Sequence, residues 1–593
     1  MHAQVENELY GASDQYVEWC GDMAHEELQR AGLRVPVLMC NGQSAQSTIN
    51  TCNAKDCVPF LEASGQNGRV LVDQPPLLTE LEGGYQTWGE SVRHVESYFY
   101  GRPAEDTAFA VARWFARGGA LVNYYMAYGG NNYGRIAGNS MTTAYAQDAP
   151  ICPDGLPHEP HFSLFAQLNR VLAARAASLL ACPAQLRNGT RLEWRAADAW
   201  KSNDANLTCF AYGSTAFLEN AGTDALRTVR WRGAEYTVPP QSMLIVDADA
   251  AVTLFNSSAT SEMRPALRVI EPARNVGPLR WEAWPEPLSP AETSSSAAVL
   301  RRTPAEQTSI TRGRTDFLWY ETNVTLPTAV TGPLPLRATT STSLSLVAWL
   351  NGTLAAARPA ENHDHDAGLS TVQLELDLSD STCEGLCLLT LLSVTIGGAP
   401  NYPVDPNSTR FLRGIVGDVT LGGFNITEHA SPWRMRPGLV GERRVFDGSV
   451  QWAPAGDRAS WPPGTWLRAR FPTPSPLPPN SATLLNLTGL GRGRVYVNGH
   501  DAGRYWLLPR NDGSGPSQRF YHVPPDWLAD AGALNELIVF EDESVEDLTL
   551  VGVAVSHMIP TPLLVQQRAA GSRVLLHAPG DVAAARAVTP CVF

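Results

Sequence analysis

The chain has 593 residues, 44% hydrophobic and 18% charged; at ~100–200 residues per domain that is too long for one core, and it is too apolar for bulk disorder. With 45 basic against 59 acidic residues, the formal net charge of −14 gives no general pull toward a phosphate backbone, so nucleic acid is not an expected partner. The 44 Pro and 49 Gly follow no period, which excludes collagen and long coiled coils and suits many short strands and turns.

Through residue 180, apolar strand-like runs alternate with helical patterns, the mark of an α/β layer. Tyr16 to Arg30 reads as a helix and Val35 to Met39 as a buried strand. Pro103 to Arg117 reads as a second helix, with Pro103 in its first turn and Glu105 and Asp106 at the positive end of its dipole. Ala120 to Met126 is the last clear strand of this half, ended by Gly129-Gly130, and Phe162 to Ala177 closes it as a helix.

From about residue 185 the pattern changes to short alternating strands with Pro and Gly turns, which indicates β-sandwiches. Pro285 to Ser309 and Ala453 to Asn480 read as linkers. The expected organisation is 1–180 as an α/β region, 181–284 as a small β domain, 285–309 as a linker, then sandwiches over 310–435 and 436–593. Asn351-Gly352 and Asn498-Gly499 each follow a strand, a strong hairpin signal. Gly489 to Gly493 precedes a strand rather than a helix, so a dinucleotide loop is not expected. Asn362-His363-Asp364-His365-Asp366 is expected to be a solvated turn, and the many Trp of this half to be core, although Trp506 near a turn could instead touch sugar.

No stretch of ~20 residues is continuously apolar, so no membrane span is expected. Eight Asn-x-Ser/Thr sequons, at Asn188, Asn206, Asn256, Asn323, Asn351, Asn407, Asn425 and Asn486, fit an exported product. Cys52/Cys57 and Cys383/Cys387 are spaced as possible disulfides of an oxidising compartment, with no second Cys or His pair nearby to suggest zinc.

The chemistry concentrates in two acidic strand ends. Gln4-Val5-Glu6-Asn7-Glu8 places Glu6 and Glu8 on one strand face, and Leu77 to Glu82 ends in Gly83-Gly84, where a ligand could approach the backbone. Paired carboxylates are what glycosidic bond cleavage needs, one to protonate the leaving oxygen and one to attack the anomeric carbon or activate water. Glu8 and Glu80 are 72 positions apart, two or three βα units of a (β/α)8 barrel at about 30 residues each, which would put both at one rim. Spacing alone equally allows two solvated loop acids.

Those segments, with Tyr10-Gly11, Val35-Pro36, Met39-Cys40, Ile49-Asn50-Thr51-Cys52-Asn53 and Trp88-Gly89, resemble glycoside hydrolase family 35, the β-galactosidases, in their plant-like form. The similarity continues through Arg102-Pro103-Ala104-Glu105-Asp106, Asn123-Tyr124-Tyr125-Met126 with Gly129 to Arg135, and Phe317-Leu318-Trp319-Tyr320. It ends in Val497-Asn498-Gly499-His500, Gly503-Arg504-Tyr505-Trp506 and Tyr521-His522-Val523-Pro524. The resemblance implies Glu8 as general acid/base, Glu80 as nucleophile, Asn7 on the sugar 2-hydroxyl and Tyr125 lining a galactose pocket, with Glu6 and Glu82 as rival acids. It implies retaining double displacement on a galactoside (oligosaccharide, polysaccharide or glycoconjugate) without metal or cofactor. Glu8 would stay protonated until attack, its pKa raised by burial and a neighbouring negative charge.

In that family the Glu8 segment is the fourth barrel strand. The expected fold class is therefore an incomplete (β/α)8 TIM barrel followed by a small β domain and two jelly-roll-like sandwiches. Without the first three units this chain is expected to be a fragment, inactive or nearly so, of an enzyme of the secretory pathway, cell wall, vacuole or lysosome. The alternative is a carbohydrate-binding pseudoenzyme acting through its sandwiches.

Overall fold

The computed structural model describes residues 2–560 except 63–73, 88–101, 138–140, 147, 181–184, 188–190, 194–197, 202–203, 205, 261–264, 289–297, 327–331, 341–344, 359–369, 379–384, 396–411, 430, 457–460 and 510–514. The Asn362 to Asp366 segment therefore lies outside the described residues.

The first region contains β1 (Ala3–Asn7), α1 (Asp14–Arg30), β2 (Val37–Cys40), β3 (Ile49–Ala54), α2 (Val58–Glu62), β4 (Leu77–Glu82), β5 (Tyr85–Thr87), α3 (Ala104–Ala116), β6 (Leu121–Tyr125), β7 (Met141–Ala146) and α4 (His161–Leu180). Helix α1 starts where the Ser13 side chain accepts from the Tyr16 amide, the usual N-cap arrangement. Pro103 caps α3 rather than lying in its first turn, with Glu105 and Asp106 just inside. The main sheet has the order β1-β2-β3-β4-β6, and every pairing in it is parallel. Strand ends that follow one another in sequence are thus neighbours along a single rim. Strand β2 is buried along its whole length, as expected of a parallel sheet covered on both faces.

A five-stranded antiparallel sheet built from Asp198–Lys201, Leu207–Tyr212, Thr215–Asn220, Ser242–Asp247 and Val252–Asn256 follows. Its Phe217, Met243, Ile245 and Phe255 share one core with Ala108, Val111 and Trp114 of α3 and with Leu164 and Leu168 of α4. The buried Glu219 fastens the join, taking Arg113 at 2.8 Å and Arg117 at 2.7 Å from α3.

Two two-sheet sandwiches make up the remainder. The first pairs a six-stranded sheet containing Phe317–Thr325 and Leu386–Val394 with a four-stranded sheet containing Leu334–Thr340 and Ile415–Leu421. The second pairs four- and six-stranded sheets, and two of its strands come from before the first sandwich. Ala266–Pro272 pairs with Gly552–Pro560, and Trp281–Pro285 pairs with Thr465–Pro472. The first sandwich is therefore inserted into the second, and the expected 181–284 span reaches into both sheets of the second sandwich. The run expected as a linker over Ala453 to Asn480 likewise contains Thr465–Pro472, an inner strand whose Trp466, Leu467, Ala469 and Phe471 are buried. Its alternation is that of a half-buried strand, and the Pro-rich residues after it form a loop.

Both Asn-Gly pairs make the expected hairpin turns, with φ of 47° and 87° at Asn351-Gly352 and 49° and 82° at Asn498-Gly499, values that favour these residue types. The Gly489 to Gly493 run serves packing: a Cβ on Gly493 would lie 1.8 Å from the Phe540 carbonyl oxygen. Trp506 is 1% exposed in the second sandwich's core, under the Arg492 guanidinium, so a sugar-facing role is excluded. The Cys52–Cys57 disulfide is formed and Cys387 is disulfide-bonded, while Cys383 lies outside the described residues.

Candidate active site

The rim formed by the carboxyl ends of β1 to β6 gathers the acidic residues. Glu6 and Glu8 do not share a strand face. Both have positive φ, 62° and 52°, and the β1–β2 register slips between Gln4 and Asn7, so the backbone kinks and sends the two side chains apart. Glu6 turns to α1, where the Tyr16 hydroxyl donates to it at 2.5 Å. Glu8 is anchored by its own amide, which donates to the Cys40 carbonyl at 2.9 Å, and its Oε1 accepts from Asn53 Nδ2 at 3.1 Å.

Glu80 and Glu82 arrive from β4, and each offers a carboxylate oxygen within 4.8 Å of the others and of Glu8. Three carboxylates that close cannot all ionise in a half-buried site without a counter-charge. The structure answers with a proton: burial, then Glu8, then Glu82 push the Glu80 carboxyl up to about 7. Burial and Glu8 also raise Glu82, opposed by Lys55 and Arg102. In so tight a cluster the proton belongs to the group as a whole. The same three side chains are a set that could face one cation, but nothing in their surroundings requires one.

Asn7 lies at the same rim, its Oδ1 accepting from Gln4 Nε2 at 2.9 Å and facing the Cys40 thiol at 2.6 Å. Tyr125 ends β6, half-buried, with its phenol pushed up by burial, a hydrogen bond with Tyr145, and the charges of Glu80 and Glu8. All four expected site residues therefore meet at one rim. Tyr10, raised by burial and then by Glu8, also borders the acids.

The end of β4 is held from behind. The buried Arg102 donates to the Glu82 carbonyl at 2.9 Å and to the Lys55 carbonyl at 2.8 Å. Asp148, buried and pushed up to about 6 chiefly by that burial, accepts from the amides of Gly84 and Arg102. Sequence reasoning gave no role to Asn53, Arg102 or Asp148. The available signal was an amide one residue from the end of a strand that had to run between the two acidic ones.

Residues 1–172 match glycosyl hydrolases family 35, and residues 464–533 match the beta-galactosidase galactose-binding domain. The chain carries a family 35 glycosyl hydrolase domain. It is 27% identical over 598 residues to the probable beta-galactosidase 2 of Dictyostelium discoideum, an alignment covering 91% of this chain and 73% of that protein. Among solved structures, an FMN-binding beta-glucuronidase from Facaelibacterium prausnitzii is similar at 12% identity over 50% of this chain and 39% of that one, TM-score 0.15. An alpha-L-rhamnosidase from Streptomyces avermitilis is similar at 14% identity over 65% and 35%, TM-score 0.14. This chain spans less than half the length of these two solved chains, and neither superposition defines its fold. Among the described residues, no helix is long and apolar enough to cross a membrane.

Proposed function

We propose that this chain is a retaining β-galactosidase that removes terminal non-reducing β-D-galactose from galactosides, with Glu8 as acid/base and Glu80 as nucleophile. The observation that carries the reading is the convergence of these two carboxylates, oxygens within 4.8 Å, from the ends of β1 and β4, with two strands between them. Retaining enzymes keep their carboxyls about 5–5.5 Å apart, whereas an inverting site needs roughly 6.5–9.5 Å to admit a water.

In the first step Glu80 forms a bond to the anomeric carbon as the glycosidic bond breaks, and Glu8 delivers a proton to the departing oxygen. In the second, Glu8 takes a proton from water, which displaces Glu80 and releases galactose with its β-configuration kept. Asn7 would bind the 2-hydroxyl and Tyr125 would wall the pocket. The parallel sheet is read as an arc of a (β/α)8 barrel with its acids at the carboxyl rim, and the sandwiches as jelly-roll-like. A secretory destination is supported by the Cys52–Cys57 disulfide and by exposed sequon asparagines Asn206, Asn323, Asn351 and Asn425.

The test is hydrolysis of 4-nitrophenyl β-galactoside by the purified chain beside E8Q and E80Q, with the anomeric configuration of the first product followed by NMR. Release of β-galactose that both substitutions abolish supports the reading. An α-configured first product, or undiminished turnover by E80Q, overturns it. Galactose binding without any turnover by the parent would favour the pseudoenzyme instead.

A further inference from the structure

We propose that Asn53 is the positioning residue of this site, its side-chain amide holding the Glu8 and Glu80 carboxylates in place. The inference rests on the assignment of those two acids just given. Asn53 is 3% exposed and stands on β3 between the strand carrying Cys40 and the strand carrying Glu80, in direct register with Glu80. Its Nδ2 donates to Glu8 Oε1 at 3.1 Å, lies 2.9 Å from Cys40 Sγ, and the side chain also hydrogen-bonds Glu80.

The other end of the amide is fixed. Thr79 Oγ1 donates to Asn53 Oδ1 at 2.9 Å, and Thr79 is itself 2.6 Å from the Thr51 hydroxyl, both threonines being buried. Turning the amide over would set its oxygen, in place of its donor, against the carboxylates, so the Thr51–Thr79 pair orients the group. Lying beneath the carboxylates, Asn53 acts on the reaction through them.

A donor aimed at a carboxylate favours its charged form. Glu80 is pushed the other way by burial, by Glu8 after β1 and by Glu82 on β4; Cys40 on β2 and Tyr125 on β6 feel its charge, Tyr10 feels that of Glu8, and Lys55 and Arg102 act on Glu82. The Asn53 amide is the group that pulls Glu80 toward ionisation, and the same nitrogen tethers Glu8 opposite it.

The experiment titrates the full chain with 13C-labelled glutamate carboxyls, with E80Q to assign the Glu80 resonance, in the parent, N53A, T79V and T79S. The Glu80 midpoint is expected to rise by about one pH unit in N53A, a ~tenfold tighter proton, to rise less in T79V, and to return in T79S. In turnover, kcat is expected to fall about 10–100-fold in N53A with KM within about twofold, and the acid limb of kcat/KM to move up with the midpoint. A folded N53A with an unmoved midpoint and an unmoved acid limb would overturn the inference. If N53A does not fold, the T79V/T79S pair decides it alone, an unmoved T79V counting against. Loss of turnover in E80Q with no effect of N53A leaves the catalytic assignment standing and removes this one; a shifted midpoint beside an active E80Q does the reverse.

Discussion

Arg135, in the loop after β6, places its Nη2 2.6 Å from Oδ1 of Asp316 at the head of the first sandwich. The other oxygen of Asp316 takes Arg504 Nη2 at 2.5 Å and Arg494 Nη1 at 3.4 Å from the second sandwich. One buried carboxylate therefore joins three parts of the fold. Burial alone would raise it, but Arg504, Arg135 and Arg494 outweigh that and hold it at about 2.

Removing this carboxylate leaves buried guanidinium groups uncompensated, which typically costs about 3–5 kcal/mol. D316A should lower the first unfolding transition by that order in a urea titration and open the loop at Arg135 to limited proteolysis. An unfolding curve superimposable on the parent's would show that the three arginines find other partners.

Stability should peak in mild acid. The folded carboxyls of Glu80, Glu286, Glu541 and Glu543 are pushed, first by burial, from 4.5 to about 7, 7, 8 and 7. Between pH 4.5 and 8 the folded chain therefore binds protons that the unfolded chain has released, so stability falls as pH rises through that window. Asp316 works in the opposite sense, contributing stability above its unfolded value of 3.8 and losing it as pH drops toward about 2. A Tm profile from pH 3 to 9 should fall on both sides of a maximum near about pH 4–5, and E80Q should flatten part of the alkaline decline. A Tm that climbs steadily toward pH 8 would contradict the raised carboxyls.

If Glu8 supplies the leaving-group proton, the loss in E8Q should depend on how much the leaving oxygen needs it. A poor alcohol leaving group should lose about 10²–10⁴ in kcat/KM, while 2,4-dinitrophenyl β-galactoside should lose far less in its first step. Azide should then restore turnover of that activated substrate and yield the β-galactosyl azide. Equal losses on both substrates would assign the proton elsewhere.

The parallel sheet and its two acidic strand ends were legible because their signals are local: continuous apolar runs, capped helices, and carboxylates beside glycine; Asn7 and Tyr125 entered only through the family resemblance. What failed was whatever depends on distant partners. The positive φ of Glu6 and Glu8 breaks a two-residue alternation that the letters alone imply, and it is imposed by packing against Cys40 and α1. Ala266–Pro272 finds its partner nearly 300 positions later, so its membership of the last sandwich has no local trace. Thr465–Pro472 was obscured by the prolines that follow it. Asn53 was visible within a motif, yet its role needs Thr79 and Glu80 in register beside it.

Arg102 gives the sharpest test of how the rim is braced. Its fork reaches the Glu82 and Lys55 carbonyls while Nε pairs with Asp106 at 2.5 Å, so the ends of β3 and β4 are tied by one planar group. A lysine keeps the charge but cannot span both carbonyls and the carboxylate together. With hydrogen bonds to charged groups worth about 1.5–3 kcal/mol each, R102K should lose one such contact or more in stability. The larger effect should fall on Glu80, two residues from the freed carbonyl, since about 1 Å of misplacement can cost ~10²-fold in rate. Because a lysine keeps the positive charge by which Arg102 lowers the Glu82 carboxyl, the pH profile should move little. R102K is therefore expected to combine a modest fall in Tm with a kcat reduced about 10–100-fold. A variant that loses stability but keeps kcat would show that β4 needs no brace to aim its carboxylates.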